Sequence, residues 1–450
     1  MAGKQYDFTE GSIMKKMILF SSPIFLTNIL QTSYQVVDSL WVGNLLGANA
    51  LAATAVSGTV IFTILSFIIG INTSALTILS QYRGAGSDEG LRRALNAFVV
   101  ILGSLALMLG IVGFVIAEQV LTFMGTPEET IPPAALYLRI NFIGILFLFG
   151  YNFIATVLRA LGDSKTPVRF VTMALLLNAV LDPFFIYVLD MGIAGAAVAT
   201  IVSQGSAFVY GLQYSIRRAG VPFSMPFLPG KTQASKIFKL GLPSGLSMMV
   251  ISGGVLAIMT VVTNFGEEVT AGFGAAQRLD SLIMLPALTL GSAINAMAGQ
   301  NIGADKWERV REITKSGLIL IGVVSLTIST LVFFSAEWAV SMFVQDDETV
   351  AFGTMYVQTV AFFYPFLGIN FVLNGIIRAA GGMMQVFVLN VISFWILRFP
   401  LTYVSASWLG EQGIGIGMGI SLILSAVIAA GYYRWGRWRE IRVIEEKDET

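Results

Sequence analysis

The chain has 450 residues, of which 55% are hydrophobic and 12% charged, and its 27 basic and 27 acidic side chains leave no net charge. A soluble domain carries about 25% charged residues, so this composition excludes a soluble globular protein and indicates a polytopic membrane protein. The chain has no cysteine and no histidine, which excludes disulfides, thiolate metal sites and histidine proton relays.

Twelve apolar stretches follow one another along the chain, each long enough to cross a bilayer as a helix of about 20 residues. Lipid offers backbone groups no water, and these continuous apolar runs lack the alternation of barrel strands, so they predict helices. We therefore predict an all-α polytopic membrane protein. The twelve predicted transmembrane helices are residues 17–44, 50–81, 93–117, 134–158, 168–189, 192–216, 237–264, 270–299, 310–335, 352–377, 384–408 and 413–435.

Basic residues lie on one side of these spans. If both termini are inside, every Lys and Arg except Arg139, Arg278 and Arg398 falls in an inner loop or tail, and the outer loops hold none. Cytoplasmic loops retain positive charge, so we predict a multi-pass protein of the cell (plasma or inner) membrane with both termini cytoplasmic. A cleaved signal peptide is not expected, because Lys15 and Lys16 lead into a span too long for its apolar region.

Two short motifs recur about 219 positions apart, which indicates a duplicated half. The repeated residues are Gln81, Gly84 and Ala85, matched by Gln300, Gly303 and Ala304, and Arg159, Ala160 and Gly162, matched by Arg378, Ala379 and Gly381. Both repeated arginines lie at predicted inner helix ends, where a cation favours the helix dipole and the anionic leaflet. We interpret them as structural.

The connection between the sixth and seventh spans is rich in glycine, proline and basic residues, a composition typical of an exposed linker. It divides the chain into an N-terminal lobe at residues 1–217, a cytoplasmic linker at 218–235, and a C-terminal lobe with a charged cytoplasmic tail at 236–450. Six spans per half keep both halves in the same orientation, so we predict two pseudo-symmetric six-helix bundles related as parallel repeats. This plan is typical of secondary transporters.

Ionisable residues inside the spans are candidate functional residues, because each costs at least about 2.5 kcal/mol to insert. Asp38 lies late in the first span, with Gln31, Tyr34 and Gln35 preceding it at helical spacing. This spacing places the four side chains on one helix face. We expect that polar face to line a cavity rather than to contact lipid.

The fifth span carries a second polar group. Asn178 and Asp182 are one helical turn apart, and Pro183 follows, which leaves the carbonyl of Ala179 partly free. Two carboxylates in one low-dielectric pocket would favour binding of a proton near neutral pH. With Thr200 of the sixth span, the same oxygens could equally hold Na⁺.

Three further charges lie inside helices. Asp280 comes two residues after Arg278, a spacing that predicts a local ion pair or an interfacial contact. For Arg139 and Arg398 we predict snorkelling to the membrane surface or a structural ion pair.

The order and spacing of these motifs resemble the multidrug and toxic compound extrusion (MATE) family, especially its DinF-like branch. The likeness covers nearly the whole chain, and no single motif is decisive. The motifs are residues 37–43 (VDSLWVG), 177–183 (LNAVLDP) and 300–304 (QNIGA), within the doubled six-helix plan.

The resemblance implies a secondary antiporter that exports lipophilic, often cationic compounds by alternating access, driven by inward flow of H⁺ or Na⁺. Of the two ions we favour H⁺, with Na⁺ as the alternative occupant of the same residues. Coupling is assigned to Asp38, Asp182, Asn178 and Thr200; substrate binding to Gln31, Tyr34, Gln35, Tyr137 and Asn152; and hinges to Pro23 and Pro183. Another branch of the family carries acids in its seventh and tenth helices, and this chain lacks those acids. In the second lobe, only Asp280 is therefore a candidate coupling residue.

The alternative function is a flippase for a lipid-linked precursor of the same superfamily. Such a protein would need several basic residues in its cavity, and only three arginines lie within spans. We expect no enzymatic activity, because no nucleophile motif or phosphate loop is present. We also expect no cofactor, no resident metal and no nucleic-acid partner. The expected partners are lipophilic or cationic small molecules and membrane lipids, and the expected state is a monomer.

Overall fold

The computed structural model describes residues 5–444, and in this part of the chain the structure is helical with no strand. Two π-helical segments, Phe184–Val188 and Ile392–Arg398, and two short 3₁₀ helices, Thr263–Phe265 and Arg437–Glu440, accompany the α-helices. The α-helices are α1 Ile13–Leu46, α2 Ala48–Ala85, α3 Asp88–Phe123, α4 Ile131–Ile143, α5 Ile145–Ala160, α6 Lys165–Pro183, α7 Gly192–Arg217, α8 Lys231–Val262, α9 Glu267–Ile283, α10 Leu285–Gly303, α11 Trp307–Ser341, α12 Asp347–Ala361, α13 Tyr364–Ala379, α14 Met383–Val391, α15 Phe399–Leu409 and α16 Gln412–Trp435.

All twelve predicted spans are confirmed as helices. Among the described residues, ten helical segments are long and apolar enough to cross a membrane by themselves, and two bent pairs, α4 with α5 and α12 with α13, complete the twelve. Each pair is bent by 52°. The outermost residues of the predicted cytoplasmic tails, 1–4 and 445–450, lie outside the described residues.

The helices form two compact units. The first lobe contains residues 5–7 and Leu19–Gly241, and the second lobe contains Phe8–Ile18 and residues 242–444. In the first lobe, the connection before α8 is fixed to α3, because the Asn96 side chain donates to the Phe227 carbonyl at 2.7 Å and accepts from the Phe227 amide at 3.0 Å.

The repeated motifs encode the same helix end twice. Arg159 lies in the last turn of α5 and Arg378 in the last turn of α13, and each helix is followed by a glycine with positive φ, 87° at Gly162 and 96° at Gly381. Only glycine adopts this conformation without strain. At Gly162 a Cβ would also lie 2.2 Å from the Tyr6 carbonyl oxygen, so the backbone approach requires glycine there as well.

In the second lobe, the start of the chain is held by polar groups at the ends of α10 and α11. The Gln300 side chain accepts from the Phe8 amide at 3.2 Å. Arg309 Nη2 donates to the carbonyl oxygens of Phe8, Glu10 and Gly11 at 3.0–3.1 Å. The repeated glutamine thus contributes directly to anchoring a segment of backbone.

The bends and π-helices occur where regular helical packing or hydrogen bonding is interrupted. The turn between α4 and α5 centres on Gly144, where a Cβ would lie 2.4 Å from the Ile201 side chain of α7. The π-helix Phe184–Val188 follows Pro183 directly, and the π-helix Ile392–Arg398 ends two residues before Pro400. Proline removes a backbone donor, and π-helical turns are one way in which a helix accommodates such a break.

Candidate functional site

The structure brings together the four residues assigned to coupling, all within the first lobe. Thr200 Oγ1 of α7 donates to Asp38 Oδ1 of α1 at 3.4 Å, and Asn178 Nδ2 donates to Asp182 Oδ1 at 3.0 Å within α6. The Asn178 side chain also lies close to Asp38. The Asn178 and Asp182 side chains are fully buried. Residues from three helices therefore meet around two carboxylates.

These carboxylates have no cationic partner in the described structure: no Lys or Arg of residues 5–444 forms a salt bridge with Asp38 or Asp182. Three oxygen atoms of the site, Asp182 Oδ2, Asn178 Oδ1 and the Tyr34 hydroxyl, are buried and accept or donate no hydrogen bond among the described residues. A buried polar atom without a partner costs about 1–3 kcal/mol. The donor set therefore fits a proton or a hard cation, both of which pair with oxygen.

One wall of the site is apolar. Tyr137 packs in a buried cluster with Val42, Ile186, Ala196 and Ala197, and it lies close enough to both carboxylates to interact with them electrostatically. Apolar walls lower the local dielectric and strengthen charge interactions inside the pocket. The two carboxylates therefore interact with each other across the pocket.

The other residues assigned to substrate binding lie in two groups, and their role in binding stays a prediction. Tyr34 lies with Tyr137 near the carboxylates, Gln31 Nε2 donates to the Tyr151 hydroxyl of α5, next to Asn152, at 3.3 Å, and Gln35 is exposed. Asn152 Nδ2 donates to the Leu148 carbonyl within its own helix at 2.8 Å. The predicted polar face of α1 thus divides: Gln31 contacts α5, and Asp38 contacts α7.

Two further polar residues, Asn141 and Gln204, line a small crevice in the first lobe. Apolar side chains that include Leu148 complete its walls. Asn141 is one helical turn after Tyr137, and Gln204 is one turn after Thr200. Extending each predicted polar position by four residues would have found both.

The two predicted hinge prolines lie in different surroundings. Pro23 is inside α1, which continues through it from Ile13 to Leu46, and its carbonyl accepts from Thr27 Oγ1 at 2.9 Å. Pro183 ends α6 at the start of the π-helix. Hinge motion at either residue stays a prediction.

The prediction of a local ion pair between Asp280 and Arg278 is wrong. Arg278 lies over the Phe343 ring, 5.6 Å from its centroid, whereas Asp280 is buried and accepts hydrogen bonds from the hydroxyls of Tyr356, at 3.2 Å, and Tyr364. Two residues of spacing on a helix direct side chains to different faces, which separates the two charges.

The other two arginines within spans differ from each other. The predicted ion pair of Arg139 is confirmed, with Glu118 at 3.0 Å. Arg398 does not snorkel: it is buried, its Nε donates to Ser421 Oγ at 3.3 Å, and its guanidinium lies 4.1 Å from the Phe394 ring centroid.

Comparisons with known proteins give one consistent result. The MatE family model matches residues 23–184 and again residues 243–404, one copy in each half of the chain. The chain is 54% identical to the probable multidrug resistance protein YpnP of Bacillus subtilis (strain 168) over 99% of its own length and the whole of that protein. It is 23% identical to the multidrug export protein MepA of Staphylococcus aureus (strain MSSA476) over 94% of each protein.

Solved structures share the fold. The outward-facing conformation of a multidrug resistance MATE family transporter of the MOP superfamily superposes with a TM-score of 0.89 over 97% of this chain and 98% of that one, at 22% identity. The crystal structure of MATE in the bent conformation gives the same TM-score. The similarity extends over both halves of the chain.

Proposed function

The chain belongs to the MATE family of multidrug and toxic compound extrusion transporters, and on that premise we propose that it is a secondary antiporter exporting lipophilic, often cationic compounds by alternating access. Inward flow of H⁺ drives export, and the ion couples at Asp38 and Asp182. The observation that carries this proposal is the pair of membrane-embedded carboxylates in the first lobe, which have no basic partner among the described residues.

Electrostatics supports a role in ion coupling. Two carboxylates that interact across a low-dielectric pocket repel each other, and burying either as an unpaired charge is strongly unfavourable. Binding one cation or proton removes that repulsion, so occupied and empty forms favour different packing of α1, α6 and α7. An ion drives a transition only by binding two conformations with different affinity, and the proposal requires this property of the site.

We favour H⁺ because one proton removes the repulsion between the two carboxylates and supplies a donor to an orphaned oxygen of the site. A protonated carboxylate oxygen becomes a donor, and the orphaned atoms nearby, which include Asn178 Oδ1 and the Tyr34 hydroxyl, are oxygens able to accept it. Na⁺, the alternative, would need Asp38, Asn178, Asp182 and Thr200 to supply most of its oxygen ligands.

The placement of the arginines favours an antiporter over a flippase. A lipid pyrophosphate would call for several cationic side chains at one place. Arg139 is engaged with Glu118, Arg278 lies over Phe343, and Arg398 is buried against other side chains of its lobe.

Flux measurements in proteoliposomes test the proposal. We expect uptake of tetraphenylphosphonium into inverted vesicles when a pH gradient alone is imposed, and no uptake with a Na⁺ gradient alone. Asp38→Asn should abolish the gradient-driven part, and the exposed acid Glu337 gives the matched control Glu337→Gln. Full gradient-driven flux by Asp38→Asn would refute the assignment, and flux under Na⁺ alone would replace H⁺ by Na⁺.

A further inference from the structure

A short motif stands before the first helix of each half, at the same offset as the other repeats. Residues 8–11 (FTEG) precede α1, and residues 227–230 (FLPG) precede α8, 219 positions later. The two segments, called here the lead-ins of α1 and α8, share their phenylalanine and their glycine. A motif present in both halves of a duplicated chain indicates a contact that both halves make.

Side-chain amides bind the backbone of both phenylalanines. Asn96 donates to the Phe227 carbonyl at 2.7 Å and accepts from the Phe227 amide at 3.0 Å. The Phe8 amide donates to Gln300 Oε1 at 3.2 Å, and the Phe8 carbonyl accepts from Asn301 Nδ2 at 3.0 Å. The lead-in of α8 is thus held within the first lobe, and the lead-in of α1 within the second.

Two cations of the second lobe bind the rest of the α1 lead-in. Lys306 Nζ donates to the Thr9 carbonyl at 3.0 Å. Arg309 Nη2 donates to the carbonyls of residues 8, 10 and 11 at 3.0–3.1 Å. Hydrogen bonds from charged donors are roughly twice as strong as neutral ones, and every carbonyl of this lead-in accepts one. The start of α1 is therefore firmly fixed in the second lobe.

The helices that follow the lead-ins change lobe along their length. Helix α1 belongs to the second lobe up to Ile18 and to the first lobe from Leu19. Helix α8 belongs to the first lobe up to Gly241 and to the second from Leu242. The part of α1 in the first lobe carries Asp38, whereas α8 contains no acidic residue. Of the two helices, α1 is thus the one that joins a coupling carboxylate to a lead-in held by the opposite lobe.

We propose that the bound lead-in makes α1 the element that transmits ion binding at Asp38 to the second lobe, with Arg309 fixing the start of the helix. Coupling between distant sites passes through rigid elements and hydrogen-bond networks, and α1 is one unbroken helix of 34 residues. Arg309 is a positioning residue, because it acts through the backbone before α1. The proposal rests on the assignment of ion coupling to Asp38 and Asp182 in the proposed function.

A fluorescent reporter in the second lobe tests the transmission. The chain has no cysteine, so Glu312→Cys at an exposed position of α11 can carry an environment-sensitive fluorophore that does not itself respond to pH. We expect the fluorescence of purified protein to change as pH crosses neutrality. In the same background, Asp38→Asn/Asp182→Asn should lose this change, and Arg309→Met should lose it although both acids remain.

The repeat supplies the matched control. Asn96→Ala removes the contact of the α8 lead-in, so it should release residues 227–230 and keep the fluorescence change. Hydrogen exchange of residues 8–11 and 227–230 shows which lead-in each variant releases. If Arg309→Met does not fold, Lys306→Met replaces an exposed lysine and removes one contact of the same lead-in. It should then give a smaller fluorescence change than the wild type, and an undiminished change would overturn the proposal.

The other outcomes are equally decisive. The proposal is overturned by a wild type without a fluorescence change, by a change that persists in the double acid variant, or by its loss in Asn96→Ala. It is also overturned if Arg309→Met keeps residues 8–11 protected from exchange or keeps the fluorescence change. In proteoliposomes, Arg309→Met should lower gradient-driven tetraphenylphosphonium flux by at least about 5-fold. A wild type without gradient-driven flux would refute the proposed function, and the fluorescence of the variants would still show whether protonation of the two acids reaches the second lobe.

Discussion

The two lobes place a tyrosine at the same position of the repeat and surround it with different charges. Around Tyr137 lie Asp38 and Asp182, with neutral donors from Asn178 and Thr200. Around Tyr356 lies one acid, Asp280, which also accepts a hydrogen bond from the Tyr364 hydroxyl. The scaffold is duplicated, but the charge balance is not.

This difference indicates how the two halves of a duplicated transporter can have different functions. A cluster with excess negative charge must take up an ion to be stable in a low-dielectric interior, and its packing then depends on the ion gradient. A cluster with a single acid has no such repulsion, and in the second lobe a tyrosine hydroxyl bonds each oxygen of that acid. We expect the first lobe to respond to the gradient and the second to keep a fixed bend.

Replacing an acid of the first lobe should have the largest effect. Asp182→Asn keeps the shape of the side chain and removes its charge, so we expect gradient-driven flux to fall by about 5- to 150-fold, the usual range of a lost coupling free energy. Counterflow without a gradient should persist. Glu129→Gln, in an exposed outer linker, is the control, and an unchanged Asp182→Asn flux would break the comparison.

The repeat-matched tyrosines should separate stability from coupling. Tyr356→Phe removes a hydrogen bond to a carboxylate, so we expect it to lower the free energy of unfolding by about 1.5–3 kcal/mol without altering the ion dependence of flux. Tyr137→Phe should instead shift the pH at which flux is half-maximal. Denaturant unfolding and pH profiles of both variants check this, and an exchange of the two outcomes would contradict the assignment.

The repeated glycines should give the smallest effect and a test of the scaffold alone. Gly162→Ala and Gly381→Ala each place a side chain at positive φ, at a cost of about 1–2 kcal/mol. We expect Gly162→Ala to be the worse of the two, because its Cβ would meet the Tyr6 backbone, whereas that of Gly381 would meet the end of the Val443 side chain. The melting temperatures of the two variants show which one is less stable. A lower melting temperature for Gly381→Ala would show that the Tyr6 backbone moves aside more easily than the Val443 side chain.

Hydropathy and helical spacing predicted all twelve spans, and the motif offset predicted two matching helix ends, because lipid forces backbone pairing into helices and few residues tolerate positive φ. The contact between the Asn178 and Asp182 side chains was predictable, because the two residues are one helical turn apart. The contact of Asp38 with Thr200 joins α1 to α7, and no spacing rule within one helix predicts it. Thr200 was grouped with the carboxylates only as a further oxygen ligand for Na⁺.

The second lobe was harder to predict. Asp280 lies near Arg278 in sequence, but its actual partners, Tyr356 and Tyr364, come from α12 and α13. These contacts join different helices, and the spacing of residues within one helix does not predict them. Local spacing therefore predicted the wrong pairing.

Counting the protons released when substrate binds tests most directly whether coupling is confined to the first lobe. Purified protein in a weakly buffered detergent solution is mixed with tetraphenylphosphonium, and a pH indicator reports the release. We expect release from the wild type, the same release from Asp280→Asn, and none from the Asp38→Asn/Asp182→Asn double variant. Undiminished release from the double variant, or loss of release in Asp280→Asn, would contradict the account.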